Sequence, residues 1–571
     1  MQDAVSPAAR AGGGGPPCCA AAGPTASPAA ARVAKASAVT APRAGRGRRD
    51  GTWGVREVWD GSDILARRSA AVVGQSESLN NNLFQSPLVP AEGSTPIATP
   101  RGRSLAWLAP SQLAWLVLAL LVWSTLLLAR ALDPDYTSGE LLDHLMAWRD
   151  TGILYPLLSD QPPLRVLNYP PLALAVARGI AALGVPAIVA GRLATALAMA
   201  LLVAGVAWWA RARGARGTVL IGTVGLLGAS YPVLYASGQL HVEPWAAAGT
   251  LWGFALLDRG RGAAGAALGG AVLALACFAK QTQAVPALAA LAWVWSCRRQ
   301  AALPATAAFA AVGIAGSGAI TALFGMVAWR HLVGYTVGTF SLPYFGGQLL
   351  RHALPWGILL AFAVRAARRE AGASRDAAVW YGAAALLWSL SAARVGASFG
   401  YFLDLHLAVV VWVGPRIFGP VDSATEPLSK PWAWLLAAQI VGASVGAGAA
   451  LGVDLVRGAR MQAELPALCA RLGGEPFVLG EEAGLMRACG RSALIHPFIF
   501  TSLAQQGLWN GDPFERALRA GDYGIVVLPF DPRLTVRGVH AERWTPGQLA
   551  AFRGAPVIER APAGQWLARW R

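Results

Sequence analysis

The stretch Asp133–Leu193, DPDYTSGELLDHLMAWRDTGILYPLLSDQPPLRVLNYPPLALAVARGIAALGVPAIVAGRL, follows an apolar run and gathers acids, aromatics and a tandem proline just beyond it. The run, Leu113 to Ala131, is long enough to cross about 30 Å of hydrocarbon, and Arg101 and Arg103 precede it. The positive-inside rule then puts the N-terminus in the cytoplasm and the acidic stretch on the far side. Asp133, Asp135 and Glu140 lie close together there, and Ser138 is placed to cap a helix running on through Trp148. Carboxylates at a bilayer surface serve as a general base towards a hydroxyl, or hold a divalent cation against phosphate. Acids near a helix start also simply favour its dipole, so spacing alone leaves both readings open.

Working outward, apolar runs of spanning length recur through the middle of the chain. Of its 571 residues 55% are hydrophobic and only 14% charged, against about 25% charged in soluble domains. We count about eleven spans at about 20 residues each. Arginines cluster after alternate spans, at Arg211, Arg213 and Arg216, at Arg259 and Arg261, at Arg298 and Arg299, and at Arg365, Arg368, Arg369 and Arg375. That alternation accounts for the net charge of +17 without a nucleic-acid partner, since no basic stripe forms. It predicts a multi-pass membrane protein, N-terminus inside and C-terminal segment outside. The apolar stretch Ala263 to Trp295 is too long for one crossing and is divided at Lys280-Gln281-Thr282.

Two regions flank the bundle. Residues 1–103 are rich in Ala, Gly, Pro and Ser without periodicity, which predicts a disordered cytoplasmic tail. Residues 455–571 alternate short β-rich runs, at Pro476 to Leu479, Ala493 to Ile495 and Ile525 to Leu528, with helical patterns around Met461 to Arg471 and Pro513 to Ala520. They predict a small extracytoplasmic α/β domain. Cys469 and Cys489 in that domain either pair as a disulfide in an oxidising compartment or remain free; Cys277 and Cys297 read as packing residues, and Cys18 and Cys19 fall in the tail. The segments EEAGLM and HPFIF read as domain core rather than a carbohydrate site.

Ionisable residues also interrupt the later spans. Glu243 opens one in QLHVEPW, Lys280 divides another, and Arg394, Asp404 and His406 sit at or within the ends of two more. A charge at mid-membrane costs about 2.5–3.5 kcal/mol on insertion scales, so such groups face a cavity or a partner. Expected on one side, they imply a common polar cavity, with Arg192 either lining it or snorkelling. His241 and His406 are potential metal ligands, although lone histidines more often pack and hydrogen-bond. Tyr169-Pro170-Pro171 fixes the direction of the next segment, Leu172 to Leu183, read as an interfacial helix that admits lipid.

Together these residues resemble the polytopic GT-C glycosyltransferases, in the bacterial branch similar to protein O-mannosyltransferases and aminoarabinose transferases. The resemblance is carried by the acidic loop, G-x-L-Y-P (Gly152 to Pro156) with Tyr169-Pro170-Pro171-Leu172, Gly191-Arg192-Leu193, the acid in HVEPW, the AKQT element, and GASFGYFLD from Gly396 to Asp404. It extends from about Leu132 to the C-terminus, including EEAGLMRACGRSALIHPFIFTSLAQQGLW. It implies a GT-C-like α-helical membrane domain over 104–454, with an outward catalytic loop over 132–187, followed by the α/β domain over 455–571. It also implies transfer of a sugar from a polyprenyl-phosphate donor to an envelope acceptor (glycolipid, polysaccharide or protein), usually with inversion.

By motif position the catalytic base or its close partner is Asp135 or Glu140, because DYTSGE resembles the family's D-Y-G-E with two residues inserted. Glu243, Lys280, Arg394, Arg192 and Asp404 would line the cavity or face the donor phosphate, and Tyr169, Pro170 and Pro171 would border the lipid's access route. Gly400 stands where asparagine is expected. No cofactor is fixed by the sequence; if a divalent metal ion takes part, Asp135, Glu140 and His241 are its candidate ligands. Membrane lipids are the other expected partners. A transporter or flippase, or a non-catalytic envelope assembly protein, stays open as an alternative, although no inverted repeat is visible.

Overall fold

A computed structural model of the protein describes residues 104–130, 135–336, 338–419 and 428–570. The tail of residues 1–103, with Cys18 and Cys19, and Asp133 of the acidic loop lie outside them. The described chain is mostly helical: α1 (Ala109–Leu128), α2 (Tyr136–Thr151), α3 (Leu172–Ala182), α4 (Ala187–Ala212), α5 (Gly217–Gly225), α6 (Tyr231–Ala236), α7 (Glu243–Arg259), α8 (Gly262–Ala279), α9 (Ala284–Cys297), α10 (Arg299–Trp329), α11 (Leu342–Gln348), α12 (Gly357–Arg369), α13 (Ala377–Ser389), α14 (Gly400–Phe418) and α15 (Lys430–Leu472). Seven helical stretches among the described residues are long and apolar enough to cross a membrane. The other four expected crossings fall on shorter segments around α5, α7, α9 and α13. The chain is a multi-pass membrane protein.

Lipid tails are as apolar as leucine, so these helices associate through close packing rather than exclusion of water. Small residues make the closest approaches: a Cβ on Gly270 of α8 would collide with the Ala305 carbonyl of α10, and one on Gly249 of α7 would lie 2.8 Å from Ala276 Cβ of α8. Lys280 divides two helices as expected, standing between α8 and α9. The acidic loop forms α2, but its N-cap is Asp135 rather than Ser138. Asp135 Oδ2 accepts from Ser138 N at 2.8 Å, while Ser138 Oγ accepts from Leu240 N at 3.1 Å. Pro171 is the N-cap of α3, which packs against α4.

The C-terminal region follows without a linker. α15 is 43 residues, roughly 65 Å long, and the expected boundary near residue 455 falls inside it. Its Leu436, Ile440 and Leu451 belong to the bundle core, whereas Met461, Leu465 and Leu468 are buried in the C-terminal core. Beyond it come β1 (Val478–Gly480), α16 (Ala483–Ala488), α17 (Pro497–Gln505), α18 (Asp512–Ala520), β2 (Ile525–Leu528), α19 (Val539–Arg543), α20 (Pro546–Arg553), β3 (Val557–Arg560) and β4 (Trp566–Arg569). The sheet order is β1-β2-β4-β3, parallel between β1 and β2 and antiparallel elsewhere.

Alternate side chains of a strand point to opposite faces. On β2, Ile525 and Val527 pack with the end of α15, while Val526 and Leu528 face the core that includes Phe500, Phe514 and Phe552. The unbroken run IVVL is apolar because both faces are covered. The expected strand at Ala493 to Ile495 is instead a single bridge, Ile495 to Leu164, which joins this region to the loop after α2. Cys469 and Cys489 form a disulfide between the end of α15 and the end of α16.

Gly270→Ala should lower the thermal midpoint of the detergent-solubilised protein, since overpacking costs about 1–3 kcal/mol. Gly313→Ala, where an added Cβ meets nothing within 4 Å, should leave the midpoint unchanged.

Candidate active site

A cavity of about 1030 Å³ opens between the bundle and the C-terminal region. α2 forms one wall and supplies Asp135, Tyr136 and Glu140. The chain must start a helix immediately after leaving α1, and Asp135 does so by capping. Its other oxygen, Oδ1, accepts from Tyr235 Oη at 3.2 Å, so both oxygens are engaged. Glu140 is different: its Oε1 is buried with no hydrogen-bond partner. Burial pushes the Glu140 carboxyl up from its ordinary range, and the nearby Asp143 charge adds to this; His496, Tyr136 and Arg543 pull the other way without overcoming it.

Glu243 and Lys280 line the cavity as a buried ion pair, Nζ to Oε1 at 2.8 Å. The Lys280 ammonium also lies 4.7 Å from the centre of the Tyr401 ring. This pair explains Gly400. A Cβ there would run into Glu243 Cγ, so the asparagine expected from the family pattern has no room.

Arg394 reaches the cavity because the 338–341 and 393–395 backbones bridge one another, with Val395 N donating to Thr339 O and Ser341 N to Ala393 O. Its guanidinium lies 5.7 Å from the Phe340 ring centre, and its Nε is buried without a hydrogen-bond partner. Arg351, on a π-helical turn over Leu349–Ala353, lines the same cavity and is exposed. Nothing in a linear sequence marks a π-turn, and Arg351 carried no signal.

Arg192, Asp404, Pro170 and Pro171 lie elsewhere. Arg192 is buried against the end of α1, where its Nη1 donates to the carbonyls of Leu127 and Arg130, the latter at 2.7 Å, and it is not part of the cavity wall. It satisfies helix-end carbonyls that have no water to bind. Asp404 is also withdrawn from the cavity: Gln283 Nε2 donates to it at 2.8 Å and Tyr381 Oη at 2.7 Å, tying α9, α13 and α14 together. Pro170 and Pro171 set the start of α3, and only Tyr169 of that triplet faces the cavity.

A divalent ion needs several converging donors. Among the described residues no group of three or more His, Cys, Asp or Glu is arranged to hold one. His241 stands 3.9 Å from Asp135 and 3.7 Å from Glu243, outside the cavity wall, so Asp135, Glu140 and His241 do not fit a metal cage. His406 lines the cavity but stacks on Trp356 at 4.2 Å, donates from Nε2 to the His352 carbonyl and hydrogen-bonds Ser230 Oγ through Nδ1, a packing role.

The opposite wall comes from the C-terminal region, which sequence reasoning treated as core. Phe498, Ile499, Glu542 and Arg543 reach the cavity, and the Arg543 guanidinium stacks 3.7 Å from the Tyr136 ring centre. Arg543 is fixed by Glu481, a fully buried carboxylate that also binds His540 and Trp544. Both ends of these contacts are far apart in the chain, so no local pattern revealed them.

No family model matches the sequence, and no curated protein matches it. The solved structures that resemble the fold include two of ArnT from Cupriavidus metallidurans. The apo form has a TM-score of 0.54 at 15% identity, and the form bound to undecaprenyl phosphate 0.54 at 16%; each comparison covers 81% of this chain and 98% of that one. The likeness shows the fold, which is the GT-C fold.

Lys280→Met should destabilise the protein by about 3–5 kcal/mol, because Glu243 would be left buried without its counter-charge. Adding Glu243→Leu should recover most of the loss in thermal unfolding.

Proposed function

From the premise of a GT-C fold, we propose that the protein is a membrane glycosyltransferase that moves a sugar from a polyprenyl-phosphate donor to an envelope acceptor. The observation that carries the reading is the convergence, on one cavity, of the Asp135 and Glu140 carboxylates with the Arg351 and Arg394 guanidiniums. Transfer to a hydroxyl needs both: a base for the proton gained on one side, and positive charge for the phosphate released on the other. Gly442, Gly446 and Ala450 of α15, with Ile358, extend the cavity along an apolar wall suited to an isoprenoid tail. The undecaprenyl phosphate in the similar ArnT structure supports the same donor class.

In this mechanism Glu140 takes the proton of the acceptor hydroxyl, whose oxygen attacks the anomeric carbon. The bond from that carbon to the phosphate oxygen breaks in the same displacement. The polyprenyl phosphate leaves with the electron pair, opposite Arg394 and Arg351, and the configuration inverts. Glu140 is the better base of the two carboxylates because it has an uncommitted oxygen, whereas Asp135 is spent on its helix cap and on Tyr235. The arginine pattern of the loops supports an extracytoplasmic cavity, at a bacterial inner membrane in this reading, and the Cys469–Cys489 disulfide agrees with an oxidising compartment.

Cells carrying Glu140→Gln or Asp135→Asn, compared with wild type by mass spectrometry of lipid-linked sugars and envelope glycans, should accumulate one lipid-linked sugar while one glycan loses a residue. For Glu140→Gln the rate should fall by about 10²–10⁴-fold. Unchanged profiles at normal protein levels would remove the catalytic assignment and leave transport or assembly.

The base must be deprotonated to act, and its pKa is raised. Wild-type turnover should therefore fall on acidification through a limb that lies above the ordinary glutamate value of about 4.3, read from kcat against pH.

A further inference from the structure

We infer that the C-terminal region is a working part of the catalytic centre, and that Asp143 is the positioning residue through which it holds Glu140. The inference rests on the functional reading above. Asp143 lies one helical turn after Glu140 on α2 and is fully buried. Its carboxylate accepts from Arg165 Nε at 2.5 Å, Arg487 Nε at 2.5 Å, His496 Nε2 at 3.1 Å and Ala493 N at 3.4 Å. Arg487 belongs to α16, and Ala493 and His496 lie just before α17. Burial alone would raise the Asp143 carboxyl, but His496, Arg165 and Arg487 hold it well below the usual carboxylate range. The clamp is charged and closed.

The same region grips α2 on the other side of Glu140. An added Cβ on Gly139 would lie 2.7 Å from Gly484 N, so α2 and α16 touch backbone to backbone. Phe498 N donates to Tyr136 Oη at 3.3 Å, and Arg543 covers the Tyr136 ring. Positions 136, 139 and 143 are thus all held from the C-terminal region, while Glu140 between them keeps an oxygen free. His144, the next residue, meets His496 edge-on at 4.7 Å. A region that merely covered the cavity, or merely selected acceptors, would have no need to bury an ion cluster behind the base.

The groups that face Glu140 are Tyr136 and Asp143 on its own helix and His496 and Arg543 from the C-terminal region; Tyr169 lies near it in the loop before α3. Asp143 is the negative charge among them on the same helix. Removing that charge should move the acid limb of kcat to lower pH, which a loss of folded protein would not do.

The test compares full-length wild type, Asp143→Asn, Arg487→Gln and Gly139→Ala in detergent. The readouts are transfer of radiolabel from membrane lipid extract, undecaprenyl phosphate binding, and kcat against pH. Each variant should lose about 10–100-fold in kcat, as expected for a misplaced catalytic group, while binding undecaprenyl phosphate like wild type. Asp143→Asn should also show the acidward limb. If Asp143→Asn does not fold, Arg487→Gln and Gly139→Ala decide on the kcat loss with retained binding. Wild-type kcat in folded variants overturns the inference, and so does loss of kcat and binding together. No transfer by wild type itself overturns the functional reading, and the inference with it.

Discussion

A charge withdrawn from water must be matched, and the architecture of this protein follows from how each of its buried charges meets that condition. Lys280 is matched by Glu243, Arg213 by Asp258 and Asp376, and Arg416 by Glu370. Arg192 uses the carbonyls at the end of a helix. These pairs join elements that would otherwise be held only by shape. An ion pair that contributes little in water becomes, in apolar surroundings, a point where removing one partner is far costlier than removing both. Against this background two buried atoms bear on the site: an oxygen of Glu140 and the Nε of Arg394 have no hydrogen-bond partner, and both belong to groups that line one cavity.

Much of this was legible in the sequence because the membrane imposes a simple rule on long apolar segments. The break at Lys280 and the extents of α4 and α13 could be read from hydropathy and arginine placement alone, whereas α10 begins six residues before the expected span and α14 ends five residues after it. So could the polar cavity as a whole, since Glu243, Lys280 and Arg394 are too costly in a membrane to be incidental. The assignment of individual charges was less accessible. Arg192 and Asp404 have the same composition and position as cavity residues, but a span-end arginine is satisfied equally well by carbonyls, and a buried aspartate by a glutamine and a tyrosine. Sequence shows that a partner is required without showing which one.

The C-terminal region illustrates the other limit. Its β2 strand is plain in IVVL, whereas β3 and β4 are short, partly exposed and carry charges such as Glu559 and Arg569 that pair across strands. HPFIF does supply core residues, Ile499 and Phe500, as expected. The same segment also sends His496 to Asp143 and Phe498 to the cavity. Those contacts span more than 350 positions, a separation at which periodicity says nothing.

The helix α15 joins the membrane bundle to the C-terminal core. One end lies among bundle helices and the other packs under the sheet, so the two cores share one continuous helix. A tilt of about 5° in a rod roughly 65 Å long displaces its far end by roughly 6 Å, more than the length of a hydrogen bond. Any change in how α15 packs among the bundle helices, which sets its tilt, would thereby be passed on to the C-terminal core as a displacement, with no loop between the two to absorb it.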